Sequence, residues 1–384
     1  MWEEARVIAW PLKDYWAACG LDEEARAWTD RVQLATEDPD GSPPKLDTPA
    51  GDLWQFITVE QANWQLRAMR LDDAEHNYHR ILHMLQAQRT SPQQQSSIAT
   101  ISHNLGVVAY SRRRLEEAED WYRKSLALRE DLGDLSGMAD SYYQLGWAAQ
   151  DQGRLGEAEG CYRKSLAIYE GLGDRPHIAD SYHQLGMVAH HRRRLGEAED
   201  WYRKSLGIRE GLGDQPRLAT DYHQLGMVAQ ARGRLDEAED WYRKSLAIYE
   251  DLGDRPHMAD GRHQLGMVAQ ARGRLDEAED WYRKSLAIEE EVGNRPGLAS
   301  SYGQLSLLAE QRGQPRQAME WMVRCVALFG QFPHPLTGPA PRDLARLTAR
   351  LGIDALEASW LEITDRPLPQ AVRDYVSSSR PAAG

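Results

Sequence analysis

The chain is short of cysteine, of uncompensated positive charge and of long apolar runs, and each shortage closes a class of function. Its 384 residues hold three cysteines, Cys19, Cys161 and Cys325, odd in number and far apart. Such a set gives no support to a disulfide framework, a CxxC motif or a zinc site, and it suits a reducing cytoplasm. Net charge is −13 at pH 7, and Lys and Arg interleave with Asp and Glu. Nucleic acid and anionic membrane surfaces both call for clustered basic residues, so neither is expected as a partner. No apolar stretch approaches the ~18 residues of a membrane-crossing helix. The opening Met1-Trp2-Glu3-Glu4 has no basic region followed by an apolar run, so no signal peptide is expected. No glycine-rich phosphate loop is present, because Gly153-Arg154 and its copies read as turns between helices. The expectation is a cytoplasmic protein without metal or cofactor.

What the chain has in abundance is itself. The phrase Trp-Tyr-Arg-Lys-Ser-Leu opens at Trp121, Trp201, Trp241 and Trp281, with a variant at Cys161, always at multiples of 40 residues. Gln224 to Ile248 is identical to Gln264 to Ile288. A fixed period of this size is the mark of stacked supersecondary units.

The unit from Asp174 to Gly213 shows the pattern. Asp174-Arg175-Pro176 reads as a helix start, with Asp as N-cap and Pro in the first turn. Helix A then runs to about His191, with Ile178, Tyr182, Leu185, Val188 and Ala189 on one stripe. After the basic turn Arg192-Arg193-Arg194, where sister repeats carry Gly233 and Gly273, helix B runs from about Leu195 to Glu210. Its stripe is Leu195, Ala198, Tyr202, Leu206 and Ile208, and Leu212-Gly213 ends it. Glu199–Arg203 and Asp200–Lys204 are i,i+4 pairs typical of a solvated face.

Leu185-Gly186, Ala198 and Tyr202 resemble the tetratricopeptide-repeat pattern. The set recurs as Leu105-Gly106, Ala118, Tyr122; Leu145-Gly146, Ala158, Tyr162; Leu225-Gly226, Ala238, Tyr242; and Leu265-Gly266, Ala278, Tyr282. The last unit keeps Leu305 and Ala318 but has Ser306 for Gly and Met322 for Tyr. At 40 residues, not the usual 34, the unit is similar to the longer repeats of kinesin light chains and bacterial signalling proteins. The resemblance implies an all-α, right-handed superhelical solenoid of antiparallel helix pairs. Residues 1–53 are read as an N-terminal helical cap or degenerate repeat with a linker at Glu37 to Asp52. Residues 54–96 are read as a degenerate unit carrying Leu71, Ala74 and Tyr78, with Gln61-Ala62 replacing Leu-Gly. Six units fill 97–336. Capping helices at Arg342–Leu351, Asp354–Thr364 and Pro369–Val376 and a disordered tail fill 337–384.

The same resemblance implies that helix A lines the concave side, so the A-helix residues off the packing stripe are the candidate site. One ladder is His103, Tyr143, His183, His223 and His263. Beside it run the amides Asn104, Gln144, Gln184, Gln224, Gln264 and Gln304. A turn later come Val107, Trp147, Met187, Met227 and Met267, and below them Tyr110, Gln150, His190, Gln230 and Gln270. Amides both donate to and accept from a peptide backbone, and related arrays use an Asn ladder at the position of Gln184 in that way. Met suits an adaptable binding wall. The competing account is that the amides pack against the next repeat and Met fills core gaps.

The imidazoles invite two sharper readings. Packed helices lie ~8–10 Å apart, too far for a shared metal with ~2 Å bonds. Joint charging near pH 6 would make the ladder a pH sensor. Asp180 before His183 and Asp260 before His263 look like catalytic dyads, but they are reiterated and lack a nucleophile. Asp near a helix N-terminus is explained by the dipole. The Trp ladder reads as packing between repeats, with an outer apolar stripe as the alternative. The groove lacks the Lys and Arg that would clamp an acidic C-terminus, so a polar, neutral or basic extended segment fits better. The sequence therefore points to a non-enzymatic scaffold for a protein or peptide segment in bacterial intracellular signalling or defence. A peptide- or metabolite-sensing regulator is the second reading, and a self-associating structural array the third.

Overall fold

The computed structural model describes residues 4–5, 22–38, 41–45, 48–87 and 91–378. Among them are eighteen α-helices and no strand. The chain forms two compact units, Met1–Arg192 and Arg193–Gly384. The first contains α1 (Asp22–Thr36), α2 (Pro49–Arg67), α3 (Leu71–Gln86), α4 (Pro92–Ser111), α5 (Leu115–Leu132), α6 (Leu135–Asp151), α7 (Leu155–Leu172) and α8 (Arg175–His191). The second contains α9 (Leu195–Leu212), α10 (Gln215–Ala231), α11 (Leu235–Leu252), α12 (Arg255–Ala271), α13 (Leu275–Val292), α14 (Arg295–Gln311) and α15 (Pro315–Ala327). It ends with a 3-10 turn (Pro335–Thr337), α16 (Ala340–Leu351), α17 (Ile353–Thr364) and α18 (Gln370–Ser378). From α2 to α15 the even-numbered helices are the A helices and the odd-numbered ones the B helices.

Local chemistry sets both ends of each helix. Asp134, Asp174, Asp214, Asp254 and Asn294 cap successive A helices by accepting from the backbone N–H three residues on. That satisfies one of the donors a helix start leaves open. Each full-length B helix stops at a glycine with positive φ, Gly133, Gly173, Gly213, Gly253 and Gly293. The A-to-B turn needs a left-handed residue too. Gly153, Gly233, Gly273 and Gly313 supply it, but Met69, Arg113 and Arg193 adopt it at φ 57–61° despite their side chains. A non-glycine there costs about 1 kcal/mol. Met69→Gly and Arg193→Gly are therefore each expected to raise stability by up to about 1 kcal/mol, less the entropy glycine adds to the unfolded chain. The check is the urea midpoint followed by helical ellipticity, and a lower midpoint in both variants would rule the strain out.

The core repeats as the helices do. Ala118, Ala158, Ala238 and Ala278 are fully buried, as are Tyr122, Tyr162, Tyr242 and Tyr282. Each of these rings lies over the backbone of the glycine on its partner A helix, Gly106, Gly146, Gly226 or Gly266. The Ser125, Ser245 and Ser285 hydroxyls donate to the Ala99, Ala219 and Ala259 carbonyls at 2.8 Å, tying each B helix to its own repeat's A helix. Cys325 takes that position in the last repeat and donates to the Ala299 carbonyl at 3.3 Å. On the outside, Glu239 receives Arg243 and, from the following repeat, Arg272 and Arg274, at 2.5–2.9 Å. Burial pushes the Glu239 carboxyl up, but Arg274 and Arg243 outweigh it and hold the group below its ordinary range.

One boundary differs from the expectation. The stretch from Glu37 to Asp52 does not stay a loop to its end, because α2 begins at Pro49. Thr48 accepts from the Gly51 N–H, Pro49 sits in the first turn and Asp52 favours the helix N-terminus, so four residues of apparent linker are helical. Of the proposed N-terminal cap or degenerate repeat, residues 1–3 and 6–21 lie outside the described residues, as do residues 379–384 of the tail. At the C-terminus α16, α17 and α18 close over α15, with Leu344, Leu347, Leu356, Trp360 and Val372 buried in one cluster with Met322 and Val323.

Candidate functional site

Helix A places the candidate residues in rows one repeat apart, and the rows have different neighbours. The ring row packs inward at an angle on the B-helix tyrosine of its own repeat. His103 lies 5.6 Å from Tyr122, Tyr143 5.6 Å from Tyr162, His223 5.3 Å from Tyr242 and His263 5.4 Å from Tyr282. These rings are half-buried, and His183 is buried. His263 also reaches the next A helix, with Nδ1 3.3 Å from the Ser301 hydroxyl and Nε2 3.4 Å from that of Ser300.

Burial holds His103, His223 and His263 at a pKa of about 4. Arg129 adds to the effect at His103 and Asp140 opposes it; His257 adds to it at His223. These three rings are therefore neutral at pH 6, and a ladder that charges together there is not what they form. Since each binds its proton more weakly folded than unfolded, the unfolded chain protonates first as pH falls. Their stabilising contribution is complete above about pH 6.5, declines towards pH 4 and is then exhausted. It amounts to roughly 3 kcal/mol per imidazole. Glu289 and Asp260, whose carboxyls burial raises, work in the opposite direction. The informative comparison is therefore the urea midpoint from pH 7.5 to 4.5 for the wild type against His223→Tyr/His263→Tyr, which copies the ring that Tyr143 carries at this position. The double variant should lose less stability on acidification, and parallel curves would contradict the assignment.

The lower amide row has a structural partner. The Tyr162, Tyr242 and Tyr282 hydroxyls donate to Gln150, Gln230 and Gln270 at 3.2, 2.8 and 2.7 Å. A buried hydroxyl without an acceptor would cost about 1–3 kcal/mol, so Gln230 and Gln270 have a role within the fold. Gln270 also donates to Gln311 at 3.1 Å. In α4 the corresponding residue is Tyr110, which donates to Asp151 at 2.6 Å. His190, the α8 member, is half-buried with its ring 6.4 Å from His191.

The upper amide row differs. Gln144, Gln264 and Gln304 are half-buried, with no side-chain hydrogen bond among the described residues. Gln224 receives only a long 3.4 Å bond from Tyr202, Asn104 donates to Asn63 at 3.2 Å, and Gln184 is buried. In the apolar row, Met187, Met227 and Met267 are half-buried, the last two lying against core clusters. Trp147 is exposed beside Tyr110 and Tyr143, at 6.0 and 5.9 Å. Trp241 and Trp321 on the B helices stack on Tyr222 and Tyr302.

Sequence reasoning missed one row. Arg129, Tyr169, Arg209, Tyr249 and Glu289 are all buried near the ends of B helices, beside a polar outer face. Their counterparts twelve residues on, in the next A helix, are Ser141, Ser181, Asp221, Gly261 and Ser301. Arg209 pairs with Asp221 at 2.9 Å. The detectable signal was that the B-helix position alternates among Arg, Tyr and Glu in an otherwise closely repeated segment, and that the one Asp opposite it, Asp221, falls against an Arg.

Among the described residues, no group of three or more His, Cys, Asp or Glu is placed to hold a metal ion, and no helix is long and apolar enough to cross a membrane. A tetratricopeptide-repeat model matches residues 97–171, 177–251 and 257–331, more than half of the chain, and a second such model matches 59–132. No curated protein matches by sequence. Among solved structures the chain is similar to the apo form of RapI, at 13% identity and a TM-score of 0.58, covering 71% of this chain and 97% of that one. It is similar to the Rap conjugation gene regulator of plasmid pLS20 in complex with the Phr* peptide, at 20% identity and 0.51, covering 79% and 78%. It is similar also to BtubC (BKLC) from P. vanneervenii, at 20% identity and 0.50, covering 62% and 92%. These likenesses are likenesses of fold.

Proposed function

The chain belongs to the tetratricopeptide-repeat family, and from that premise we propose that it is a non-enzymatic scaffold whose A-helix face holds an extended peptide or a segment of a partner protein. The observation that carries this reading is that amides on the A-helix face of each unit have no side-chain hydrogen bond among the described residues, Gln144 in the first unit and, separately, Gln264 and Gln304 in the second. Each stands beside an apolar side chain one turn on, Trp147, Met267 or Leu307. A half-buried amide that gives and receives no bond within the fold has both capacities available for a backbone. The flanking apolar groups would exclude water from those bonds. The lower amides, tied to tyrosines, would act as a rigid floor.

A groove of this kind reads backbone more than sequence, and it favours polar, neutral or basic segments. The peptide held by the Rap conjugation regulator is a use of a similar fold in keeping with this reading. The setting we propose is a sensor or adaptor in bacterial intracellular signalling.

The test uses a random twelve-residue peptide library displayed on phage, selected on the full chain. Peptides recovered should bind Gln264→Ala/Gln304→Ala at least tenfold more weakly, with helical ellipticity unchanged. Equal affinity for both proteins would remove the amides from recognition, and with them this reading.

A further inference from the structure

In the second unit the A-helix face runs into a pocket of about 250 Å³ bounded by α14, α15, the 3-10 turn and the start of α16. Its place in the repeat pattern is informative. At the ladder position every earlier 40-residue unit carries a ring, and the last carries Gly303. The tyrosine that a ring would face is replaced by Met322. A Cβ built on Gly303 would meet no atom within 4 Å. The two preceding repeats fill the equivalent space with His223 and His263, 5.3 and 5.4 Å from their tyrosines. The last repeat has left that space open and walled it with the segment after α15.

The lining defines what fits. Met322 offers a thioether to an aromatic ring, a favourable contact. Leu307 and Leu336 line the pocket yet remain 39% and 53% exposed, so they have apolar surface to bury on an occupant. Gln304 and Asp343 provide acceptors, and the lining contains no Lys or Arg. Asp343 shares its carboxylate with Arg346 at 3.2 Å. An anionic group would be repelled here, whereas a ring N–H or O–H would be accepted. Gln304 belongs to both the pocket and the amide row, so a backbone held along that row passes the opening.

We propose that this pocket receives one aromatic side chain bearing an N–H or O–H donor, a Trp or a Tyr, from a peptide held along the A-helix face. The peptide part of this statement rests on the groove reading above; the pocket's affinity for a ring does not.

The test is titration of the full chain, with methionine methyls carbon-13 labelled, by N-acetyl-tryptophanamide and N-acetyl-tyrosinamide, with N-acetyl-leucinamide as control. The aromatic amides should move the Met322 methyl upfield and saturably, through the ring current, while the leucine amide moves it little. Gly303→His, which fills the vacancy from within, should abolish the shift and leave the Met227 and Met267 methyls in place. Leu336→Asp, at a side chain 53% exposed on the 3-10 turn, should weaken the aromatic amides several-fold and guards against misfolding of the first variant. Absence of a saturable Met322 shift, or its survival in both variants, overturns the proposal. Loss of phage-selected peptides on changing Gln264 alone, which lies outside the pocket lining, is a separate readout, so the groove and the pocket stand or fall independently.

Discussion

Arg209→Ala is expected to destabilise the α9–α10 region by about 3–5 kcal/mol, the usual effect of removing one partner from a buried ion pair. The Arg209 and Asp221 side chains are 4% and 0% exposed and meet at 2.9 Å, and Arg209 also donates to the Arg217 carbonyl at 2.9 Å. Truncation would leave the Asp221 carboxylate in a dry interface without its guanidinium. The cost reflects that stranded charge more than the worth of the pair, so changing both residues should hurt less. Arg209→Met/Asp221→Ser is expected to recover most of the loss. Repeat arrays need not unfold in one step. The measurement is therefore amide exchange across α9 and α10 together with the urea midpoint. A single variant within about 1 kcal/mol of wild type, or a double variant worse than the single, would show that the pair does not hold this junction.

The pair has a further consequence among near-identical units. Arg209 meets an Asp in the next A helix; Arg129, in contrast, donates to the Ser141 hydroxyl at 3.3 Å and to the Gly137 carbonyl. Tyr249 meets Thr220 at 3.1 Å across its own repeat. A chain slipped by 40 residues would bring Arg209 against Gly261, or Glu289 against Gly261, and strand a charge. Buried polar residues that fix register are the best-attested use of such pairs, and here they distinguish repeats that are otherwise interchangeable.

Gly266→Ala should cost about 2 kcal/mol, although alanine is the better helix former. An added Cβ would stand 2.6 and 2.7 Å from two carbons of the Tyr282 ring. That ring is fully buried and tethered through its hydroxyl to Gln270 at 2.7 Å. Overpacking of a rigid core costs about 1–3 kcal/mol, and the upper end is expected against a ring held at both faces. The gain in helix propensity returns about 1 kcal/mol. The last repeat shows how the conflict is resolved, because Ser306 occurs with Met322 and the ring is gone. Gly266→Ser/Tyr282→Met, which copies that solution, should therefore be more stable than Gly266→Ser alone. Chemical denaturation of the four proteins in this cycle gives the coupling directly, and additive effects would mean that the ring and the glycine do not meet.

Much of this fold could be read in advance because its grammar is local and repeated. Asp174 and Gly213 mark the ends of a helix pair wherever the pair sits, and Gly186, Ala198 and Tyr202 carry the same pattern as their counterparts in the sister repeats. Where a rule appeared once it was harder to see. Thr48-Pro49 begins a helix inside what composition makes a linker, and the buried Arg129–Glu289 row hides on a helix whose outer face is polar.

The sequence by itself determined the helix pairs, their 40-residue period and which residues share an A-helix face, since all of these follow from spacing along one chain. Only the tertiary structure decided which amides are occupied. Gln264 and Gln270 sit six residues apart on the same helix, yet only Gln270 meets a tyrosine hydroxyl. That difference depends on where the partner helix places Tyr282. The vacancy at Gly303 could be read from the 40-residue spacing, but only the tertiary structure showed that the segment after α15 walls it into a pocket.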